Sequence, residues 1–366
     1  MQFNINREKL LKPLQQIVNV IEKRQTMPIL ANVLLKLNQQ TLVLSGTDLE
    51  IQIVAQLDVD SSQSGETTVP ARKFLDICRL LPAEAVIKFK ADETKVKIES
   101  EKSRFSLTTL AAENYPGFPE NDADFQFTIA AEKLKIALDK TLFCMANQDF
   151  RYYLNGLMMN VSNQSLKLVA SDGHRLSIYH GEIDEATELD NRIIIPRKGI
   201  QELARLLEHS ENEVTLLISK NQIKVLLENL IFSAKLIDAK YPDFSKIYQQ
   251  EYLSPIRIDK KLFKEALTRV AILAHEKSKG ISLQISSEKM LLTAYNPAQE
   301  EAEEEMQIEF SGTPTTISFN GQYLLEAVSN IDAETLVLTI ASNLSSCFIQ
   351  EPEDAPYKFI VMPMTL

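Results

Sequence analysis

Hydrophobic and polar positions follow one order along this chain, and that order occurs three times. Each copy opens with a short alternating segment and then places apolar residues at helical spacing, as at Leu10, Leu14 and Ile17. A second helical pattern follows, separated from the first by segments that alternate with period two around short polar turns, which predicts antiparallel strands. The six predicted helices cover residues 7–20, 72–81, 132–145, 197–208, 259–274 and 321–331.

Two sets of landmark residues give the period of the repeat. One set is spaced by 124 and 124 residues, at Asp48, Asp172 and Asn296. The other is spaced by 125 and 124 residues, at Lys73, Lys198 and Gln322. A repeat of about 122 residues has the size of a single domain. We therefore predict an α+β protein of three tandem domains, each with two helices packed on antiparallel sheets. The expected boundaries are 1–122, 123–250 and 251–366.

In each copy, the two strands that follow the first helix are predicted to meet at a short polar turn. These strand pairs cover 31–48, 157–172 and 281–296, with the turns at 38–40, 163–164 and 286–289.

Composition limits the classes of protein that fit. Hydrophobic residues make up 45% and charged residues 24% of the chain, as in ordinary globular proteins. No apolar run approaches 18 residues, and the opening MQFNINREKLLKPL lacks the charged-then-apolar pattern of a signal peptide. The three cysteines, Cys78, Cys144 and Cys347, show no CxxC spacing. These features favour a reduced cytoplasmic setting with structural thiols.

The net charge of −11 argues against nucleic acid, but the charges are unevenly distributed. The five segments 7–24, 72–79, 132–140, 197–208 and 259–269 carry 18 basic and 9 acidic residues, whereas the rest carries 21 basic and 41 acidic. The sixth predicted helix has no basic residue. Either helices simply carry solvated cations, or one layer of the protein is basic and contacts a polyanion without sequence preference. The counts alone leave both interpretations open.

Catalytic motifs are absent or poorly formed. SDGHRL (171–176) places Ser171 near His174, but a strand end would point them apart, and no GxSxG elbow is present. The sequence has no GK dipeptide, no GxGxxG and no HExxH. We therefore expect no catalytic residue, metal or cofactor. A hydrolase using Ser171 and His174, and a three-domain peptide adaptor with no DNA role, remain alternatives.

Two further segments allow more than one interpretation. The acidic residues at 300–305 fit a solvated edge or a surface for a basic partner, and a calcium loop less well because Asp and Gly are not interleaved. RYYLNG (151–156) places two tyrosines beside Arg151, which suits either stacking on bases or packing in a core.

Many spaced segments together resemble one family from end to end of the chain. They are KPLQQIV (12–18), GTDLE (46–50), TTVPARKF (67–74), DICR (76–79), QD (148–149) with RYYLNG (151–156), DGHRL (172–176), PRKG (196–199), YPDF (241–244), NPAQEEAEE (296–304) and VMPM (361–364). The chain is similar to the β sliding clamp family of bacterial DNA polymerase III.

This resemblance implies a non-enzymatic processivity factor. Two chains would close head to tail into a ring of six domains, with helices lining the hole and sheets forming the wall. Duplex DNA would pass through a basic hole, and binding would be topological and independent of sequence. The implied partners are the polymerase III catalytic subunit, the clamp loader, translesion polymerases and mismatch-repair proteins, acting in the cytoplasm at the nucleoid.

The resemblance also carries three sets of site residues. The implied pocket for a linear peptide motif, with apolar walls for hydrophobic side chains, comprises Leu154, Ser171, Gly173, His174, Arg175, Leu176, Pro242, Lys246, Ile247, Ser346, Ile360, Met362, Pro363 and Met364. The implied DNA contacts are Arg24, Arg72, Gln148, Tyr152, Tyr153 and Lys198. The implied subunit interface comprises Lys73, Arg104, Phe105 and Leu107 against Ile272, Leu273, Glu300, Glu303 and Glu304.

The chain departs from the family pattern at three positions. Ser171 stands where the pattern has Thr, Lys246 where it has Arg, and Thr365 where it has Arg. Fewer guanidinium groups would retune peptide recognition at the rim of the implied pocket, because lysine cannot reproduce the bidentate geometry of arginine.

Overall fold

The structure is a computed structural model that describes residues 1–22, 27–119, 122–208, 210–245, 247 and 250–366, and only the backbone of residues 184–191. The helices are α1 (Arg7–Val20), α2 (Ala71–Leu80), α3 (Ala131–Leu142), α4 (Arg197–Leu207), α5 (Lys260–Val270) and α6 (Gly321–Ser329). In the described part of the chain, no helix is long and apolar enough to cross a membrane.

The strands follow the same threefold order as the helices. The first copy contains β1 (Gln2–Asn6), β2 (Asn32–Asn38), β3 (Thr41–Thr47), β4 (Ile51–Asp58), β5 (Asp60–Gln63), β6 (Gly65–Pro70), β7 (Val86–Ala91), β8 (Lys95–Ser100) and β9 (Ser103–Thr108). The second contains β10 (Phe125–Ala130), β11 (Gly156–Ser171), β12 (Arg175–Pro196), β13 (Glu213–Ser219), β14 (Gln222–Leu227) and β15 (Leu230–Lys235). The third contains β16 (Ile256–Asp259), β17 (Gly280–Ser286), β18 (Lys289–Tyr295), β19 (Glu301–Gln307), β20 (Thr315–Asn320), β21 (Thr335–Ile340), β22 (Cys347–Gln350) and β23 (Tyr357–Val361).

Capping side chains determine where several helices begin. The Asn6 carboxamide accepts the Glu8 N–H at the start of α1, and the Asp259 carboxylate accepts the Leu262 N–H at the start of α5. Helix α1 continues through Pro13 without interruption. The apolar residues of its stripe are fully buried, which packs the helix on its sheets.

Two predicted helices end earlier than their apolar pattern. Helix α3 ends at Leu142, three residues before the predicted end at 145, because the Cys144 and Met145 N–H groups donate to carbonyls three residues back. Helix α5 ends at Val270, and the short 3-10 turn Ala271–Leu273 follows. In both cases the last apolar turn is tighter than an α-helix, so the periodicity extends past the helix itself.

The chain divides into two compact units, and the first consists of Met1–Lys135 with Lys198–Leu236. It holds a five-stranded sheet of order β5-β1-β7-β8-β9 and an eight-stranded sheet of order β10-β13-β14-β15-β4-β3-β2-β6. The eight-stranded sheet joins strands of two sequence copies, because β15 pairs with β4 in antiparallel register from Leu230 opposite Ala55 to Ala234 opposite Ile51.

The second unit consists of Ile136–Arg197 with Ile237–Leu366. It holds a six-stranded sheet of order β11-β12-β23-β22-β21-β16 and a four-stranded sheet of order β19-β18-β17-β20. The six-stranded sheet again combines strands of two sequence copies, with β12 paired to β23. A sheet that crosses from one copy to the next was not expected from the sequence.

The turn predicted at 163–164 lies within one continuous strand, β11. The ladder with β12 shifts register on both sides of Asn163, and the φ angle of Asn163 is 52°. Gln39 and Glu288, at the corresponding turns of the other copies, have φ angles of 52° and 64°. The three copies therefore share a left-handed residue at this point, although only the central copy continues as strand.

Candidate functional site

An apolar cluster covers one face of the six-stranded sheet. Its five buried members are 1 to 7% exposed: Val169, Leu176, Ile178, Phe348 and Ile360. The strand register places them side by side, because Leu176 lies opposite Ile360 and Phe348 also lies opposite Ile360. Half-buried apolar side chains that pack against the cluster are Met158, Tyr241, Phe244, Ile247 and Tyr252.

The segment that follows β15 supplies most of these half-buried side chains. The Tyr252 ring meets the Phe348 ring edge-on at a centroid distance of 5.4 Å, and the Tyr241 and Phe244 rings meet at 6.1 Å. Pro242 is exposed beside them. The arrangement is a fixed apolar floor with partly open aromatic walls, which suits side chains of an extended peptide.

The loop between β11 and β12 forms one rim of the cluster. One carboxylate oxygen of Asp172 accepts the N–H groups of His174 and Arg175, which fixes the turn. Gly173 has a φ angle of 89°, and a Cβ there would lie 2.6 Å from the Arg151 guanidinium, so both the conformation and the space require glycine. His174 is exposed on the rim.

Ser171 does not have the geometry of a nucleophile. Its buried hydroxyl donates to the Arg175 carbonyl at 2.7 Å and accepts the Gly173 N–H at 3.0 Å. A serine engaged by backbone on both sides does not transfer a proton to the exposed His174. This geometry counts against the hydrolase alternative.

Arg175 was expected to line the pocket, but its guanidinium lies beside the cluster rather than in it. It donates to Asp172 at 3.0 Å and to the Phe143 carbonyl at 2.8 Å, and it pairs with Glu326. The Tyr323 ring lies 4.5 Å from the guanidinium. The reason is strand alternation: the neighbouring Leu176 faces the apolar cluster, and a charged group among those side chains would lack partners.

The C-terminal tail lies against the same rim. The Met362 N–H donates to the His174 carbonyl and the Met364 N–H donates to the Ser318 carbonyl, both at 2.8 Å. Met362 is 40% exposed, and Pro363 is half-buried. The tail is therefore bound along its backbone, with the Met362 side chain exposed and that of Met364 half-buried.

The other residues predicted for the pocket have mixed positions. Leu154 is buried at 2% exposure in the 3-10 turn Tyr152–Asn155. Ser346 is also buried, with its hydroxyl 3.5 Å from Gln250. Ile247 packs on the cluster. Lys246 lies outside the described residues.

The residues predicted to contact DNA lie on helices and on the loop before β11. Arg72 on α2 is exposed and donates to the Ile21 carbonyl at 2.8 Å. Gln148 is exposed with a φ angle of 57°, and Tyr152 is 57% exposed, with its ring 6.0 Å from that of Tyr153. Arg24 lies outside the described residues.

Lys198 on α4 is held by two carboxylates. It pairs with Glu22 at 2.7 Å and with Asp48, whose side chain is only 6% exposed. Burial alone would lower the pKa of Lys198, but the hydrogen bonds to Asp48 and Glu22 outweigh burial and the pKa is raised. The charge of Lys198 is thus largely balanced within its own unit.

Two sheet edges carry the residues predicted for the subunit interface. β9 is the edge of the five-stranded sheet, and it presents Arg104, Phe105 and Leu107, while Lys73 is exposed on α2. β19 is the edge of the four-stranded sheet, and it presents Glu303 and Glu304. The interface residues near β19 but outside it are Glu300, Leu273 and Ile272, and Ile272 is 76% exposed.

Two of these acidic side chains already have partners. Glu304 accepts two hydrogen bonds from Arg269, which lower the pKa of its carboxyl group. Glu300 accepts from Asn296 at 2.7 Å. Glu303 lies on the same edge with its side chain exposed.

Comparison with known proteins settles the family. Models of the N-terminal, central and C-terminal domains of the DNA polymerase III β subunit match residues 1–119, 128–243 and 246–365. The chain belongs to the DNA polymerase III β-subunit family. It is 41% identical to the β sliding clamp of Pseudomonas aeruginosa and 38% identical to that of Escherichia coli, over the full length of each chain.

Solved structures of this β-subunit family agree with the fold. The P. aeruginosa clamp bound to griselimycin matches with a TM-score of 0.96 at 40% identity, covering all of both chains. The Caulobacter crescentus polymerase III β subunit matches with a TM-score of 0.95 at 30% identity, again covering all of both chains. The chain is thus three tandem clamp domains, and its function is that of a DNA sliding clamp, a non-catalytic processivity factor.

Sequence reasoning missed much of the apolar cluster in this clamp. The residues it overlooked are Val169, Ile178, Phe348, Met158, Tyr241, Phe244 and Tyr252. The available signal was the aromatic content of 241–255, a segment whose prolines and polar residues are otherwise typical of a linker. Strands β22 and β23 reach the cluster only through long-range pairing, and no local pattern shows that.

Proposed function

We propose that two copies of the chain pair head to tail into a closed ring around duplex DNA. The observation that carries this is the opposite chemistry of the two sheet edges. β9 presents Arg104 beside exposed Lys102, and β19 presents a row of glutamates from Glu301 to Glu305. In the described part of the chain, neither edge has a further strand along it.

Pairing β9 of one copy with β19 of another would join a five-stranded and a four-stranded sheet into one. Such pairing removes two open edges, which otherwise favour aggregation. Exposed Phe105 and Ile272 would supply apolar contact next to the ladder. Each ring would hold two sets of the domains 1–122, 123–250 and 251–366.

The ring would bind DNA topologically, with weak contacts from the helices. Arg72, Gln148, Tyr152, Tyr153 and Lys198 would touch the phosphates and sugars, with Arg24 as a further contact. Contacts of this kind carry no base information and weaken with salt. The overall charge of −11 would keep DNA away from the rest of the surface.

The apolar cluster would receive linear motifs of the proteins that use the clamp. Partners implied by the family are the polymerase III catalytic subunit, the clamp loader, translesion polymerases and mismatch-repair proteins, in the cytoplasm at the nucleoid. Clamps of P. aeruginosa and Bartonella birtlesii have been solved with griselimycin bound. We expect griselimycin to displace a labelled clamp-binding peptide of the polymerase catalytic subunit from this chain.

The test is a measurement of native mass followed by a retention assay. Sedimentation at micromolar concentration should give twice the chain mass of 41.4 kDa. After loading by the clamp loader, the protein should stay on nicked circular DNA and leave the same DNA once it is linearised. A monomer that leaves both forms equally fast would overturn the ring.

A further inference from the structure

The sheet face that carries the apolar cluster changes chemistry along its strands. Beyond Val169 and Ile178, the next positions on the same face are Lys167 and His180, which lie opposite each other. Lys358 lies opposite Ile178 on β23. Within one or two strand positions, this face therefore changes from apolar residues to two lysines and a histidine.

These basic groups surround a hollow of about 510 Å³. It is lined by Lys167, Ile178, His180, Asp354, Pro356 and Lys358. Ile178 belongs both to this hollow and to the apolar cluster, so the two sites are continuous. We call Lys167, His180 and Lys358 the basic annex.

Neither Lys167 nor Lys358 forms a salt bridge with another described residue. The nearest carboxylate in the lining of the hollow is that of Asp354, and the His180 ring contacts the Ser165 hydroxyl at 2.7 Å. Asp354 is exposed at the rim of the hollow. Two lysines without a salt bridge to any described residue are available to an acidic ligand, although the chain as a whole has a net charge of −11.

The charge of Lys167 also acts on the segment that covers the apolar cluster. Hydrogen bonds from Ser245 lower the pKa of Asp243, and the charges of Arg192 and Lys167 contribute to the same effect. Phe244 and Ile247 of this segment pack on the cluster that contains Ile178, which also lines the hollow of the annex. A peptide that lies over Ile178 would therefore pass beside the annex.

We propose that the basic annex binds acidic residues that flank the hydrophobic motif of a partner peptide. The proposal rests on the proposed function of the apolar cluster. Leu176 and His180 are four residues apart on β12, a span of about 13 Å in a strand. An extended peptide covers that span in about four residues, so the acidic residues should lie within about four positions of the apolar anchors.

The experiment uses the full chain and three fluorescein-labelled peptides. Each contains the clamp-binding motif of the polymerase III catalytic subunit, with four flanking residues on either side. One has serine in both flanks, one has aspartate in the N-terminal flank and one has aspartate in the C-terminal flank. Fluorescence anisotropy at low and at moderate salt gives the dissociation constants for the wild type, the double variant Lys167→Gln/Lys358→Gln, and a control.

The control is Lys88→Gln/Lys90→Gln, which removes the same charge from two exposed lysines of β7. We expect one aspartate peptide to bind the wild type about three- to tenfold more tightly than the serine peptide, as two partly exposed ion pairs allow. The gain should disappear in the Lys167→Gln/Lys358→Gln variant and at raised salt, and it should persist in the control.

Three results would count against the annex. Equal binding of all three peptides to the wild type overturns it, as does an aspartate gain that both double variants lose equally. An aspartate gain that survives Lys167→Gln/Lys358→Gln overturns it too. The proposed function fails differently, since then the serine peptide itself would not bind. Because the wild-type comparison varies only the peptide, equal binding of the three peptides overturns the annex even if a variant does not fold.

Discussion

The apolar cluster and the cations of the helices differ in how firmly the fold fixes them. The cluster has five side chains that are at most 7% exposed, packed under aromatic rings. The helix cations are more open: the Lys198 side chain is 38% exposed and its charge is shared with two carboxylates. A fixed apolar floor suits selective recognition of a peptide, whereas open, partly balanced cations suit a DNA backbone that must slide.

The largest expected effect is on peptide affinity at the apolar cluster. Deleting residues 362–366 removes the rim that is bound to His174 and Ser318, together with the methionine side chains. We expect affinity for the polymerase peptide to fall by at least about a hundredfold, as happens when anchor contacts are lost. Fluorescence anisotropy measures this loss.

The same truncated protein should still form a dimer in sedimentation, because the residues of the proposed interface on β9 and β19 are untouched. Thr365→Ala, an exposed change within the tail, is the matched control and should bind the peptide normally. Loss of the dimer on truncation would show that the tail supports the fold, and the two regions would then not be separable.

Opening the ring should test whether the helix cations hold DNA without closure. Ile272→Ala with Leu273→Ala removes apolar side chains beside β19, one of them 76% exposed in the single chain. We expect the dimer dissociation constant to rise by about a hundredfold. Retention on circular DNA should then be lost although every helix cation remains, and peptide affinity should stay unchanged.

Leu262→Ala is the control for this variant, since Leu262 is 54% exposed on α5 and lies outside the proposed interface. Sedimentation velocity over a concentration series separates the two. An unchanged dimer in the double variant would contradict the interface, and DNA retention by a monomer would contradict the topological account of binding.

Local patterns were enough to predict the helices but not the cluster. Apolar spacing predicts the six helices to within a few residues, since helix formation depends on neighbours in sequence. The family resemblance supplied Leu176 and Ile360, but Val169 and Phe348 join them only through strand pairing. Pairing of β15 with β4, which crosses copies, was equally invisible because register depends on distant segments.

A smaller effect is expected from Lys198→Gln. Asp48, at 6% exposure, would lose its cation, so the free energy of unfolding should fall by about 1 to 2 kcal/mol. The half-life on circular DNA should change by less than about twofold, because the charge was already balanced by carboxylates. Urea denaturation and the retention assay measure the two quantities.

The pH dependence of this variant has a definite sign. The pKa of Lys198 is raised in the folded protein, so its contribution is complete below the ordinary lysine pKa and is lost only as pH rises through the elevated value. The stability difference between wild type and Lys198→Gln should therefore stay constant through neutral pH. Lys264→Gln, an exposed lysine on α5, should show neither effect. A retention loss as large as that of the open ring would contradict the view that helix contacts are weak.

The smallest expected effect concerns the relative reactivity of a thiol in helix α2 and a thiol beside the apolar cluster. Cys78 lies in α2 on the helix side, and Cys347 lies in β22 next to Phe348 of the cluster. Burial raises the pKa of each thiol to about 12, with Arg7 opposing the rise at Cys78. A disulfide reagent at pH 8 should therefore react with neither thiol in the native protein, and with all three cysteines in guanidinium.

Single-thiol variants make this comparison quantitative. Cys78→Ser/Cys144→Ser leaves Cys347 alone, and Cys144→Ser/Cys347→Ser leaves Cys78 alone. If the cluster is as rigid as its packing indicates, both thiols should react only through unfolding and at equal rates. Faster labelling of Cys347 that a bound peptide suppresses would mean that the cluster opens in solution. Peptide recognition would then require the floor to form on binding, and the contrast with the helix cations would weaken.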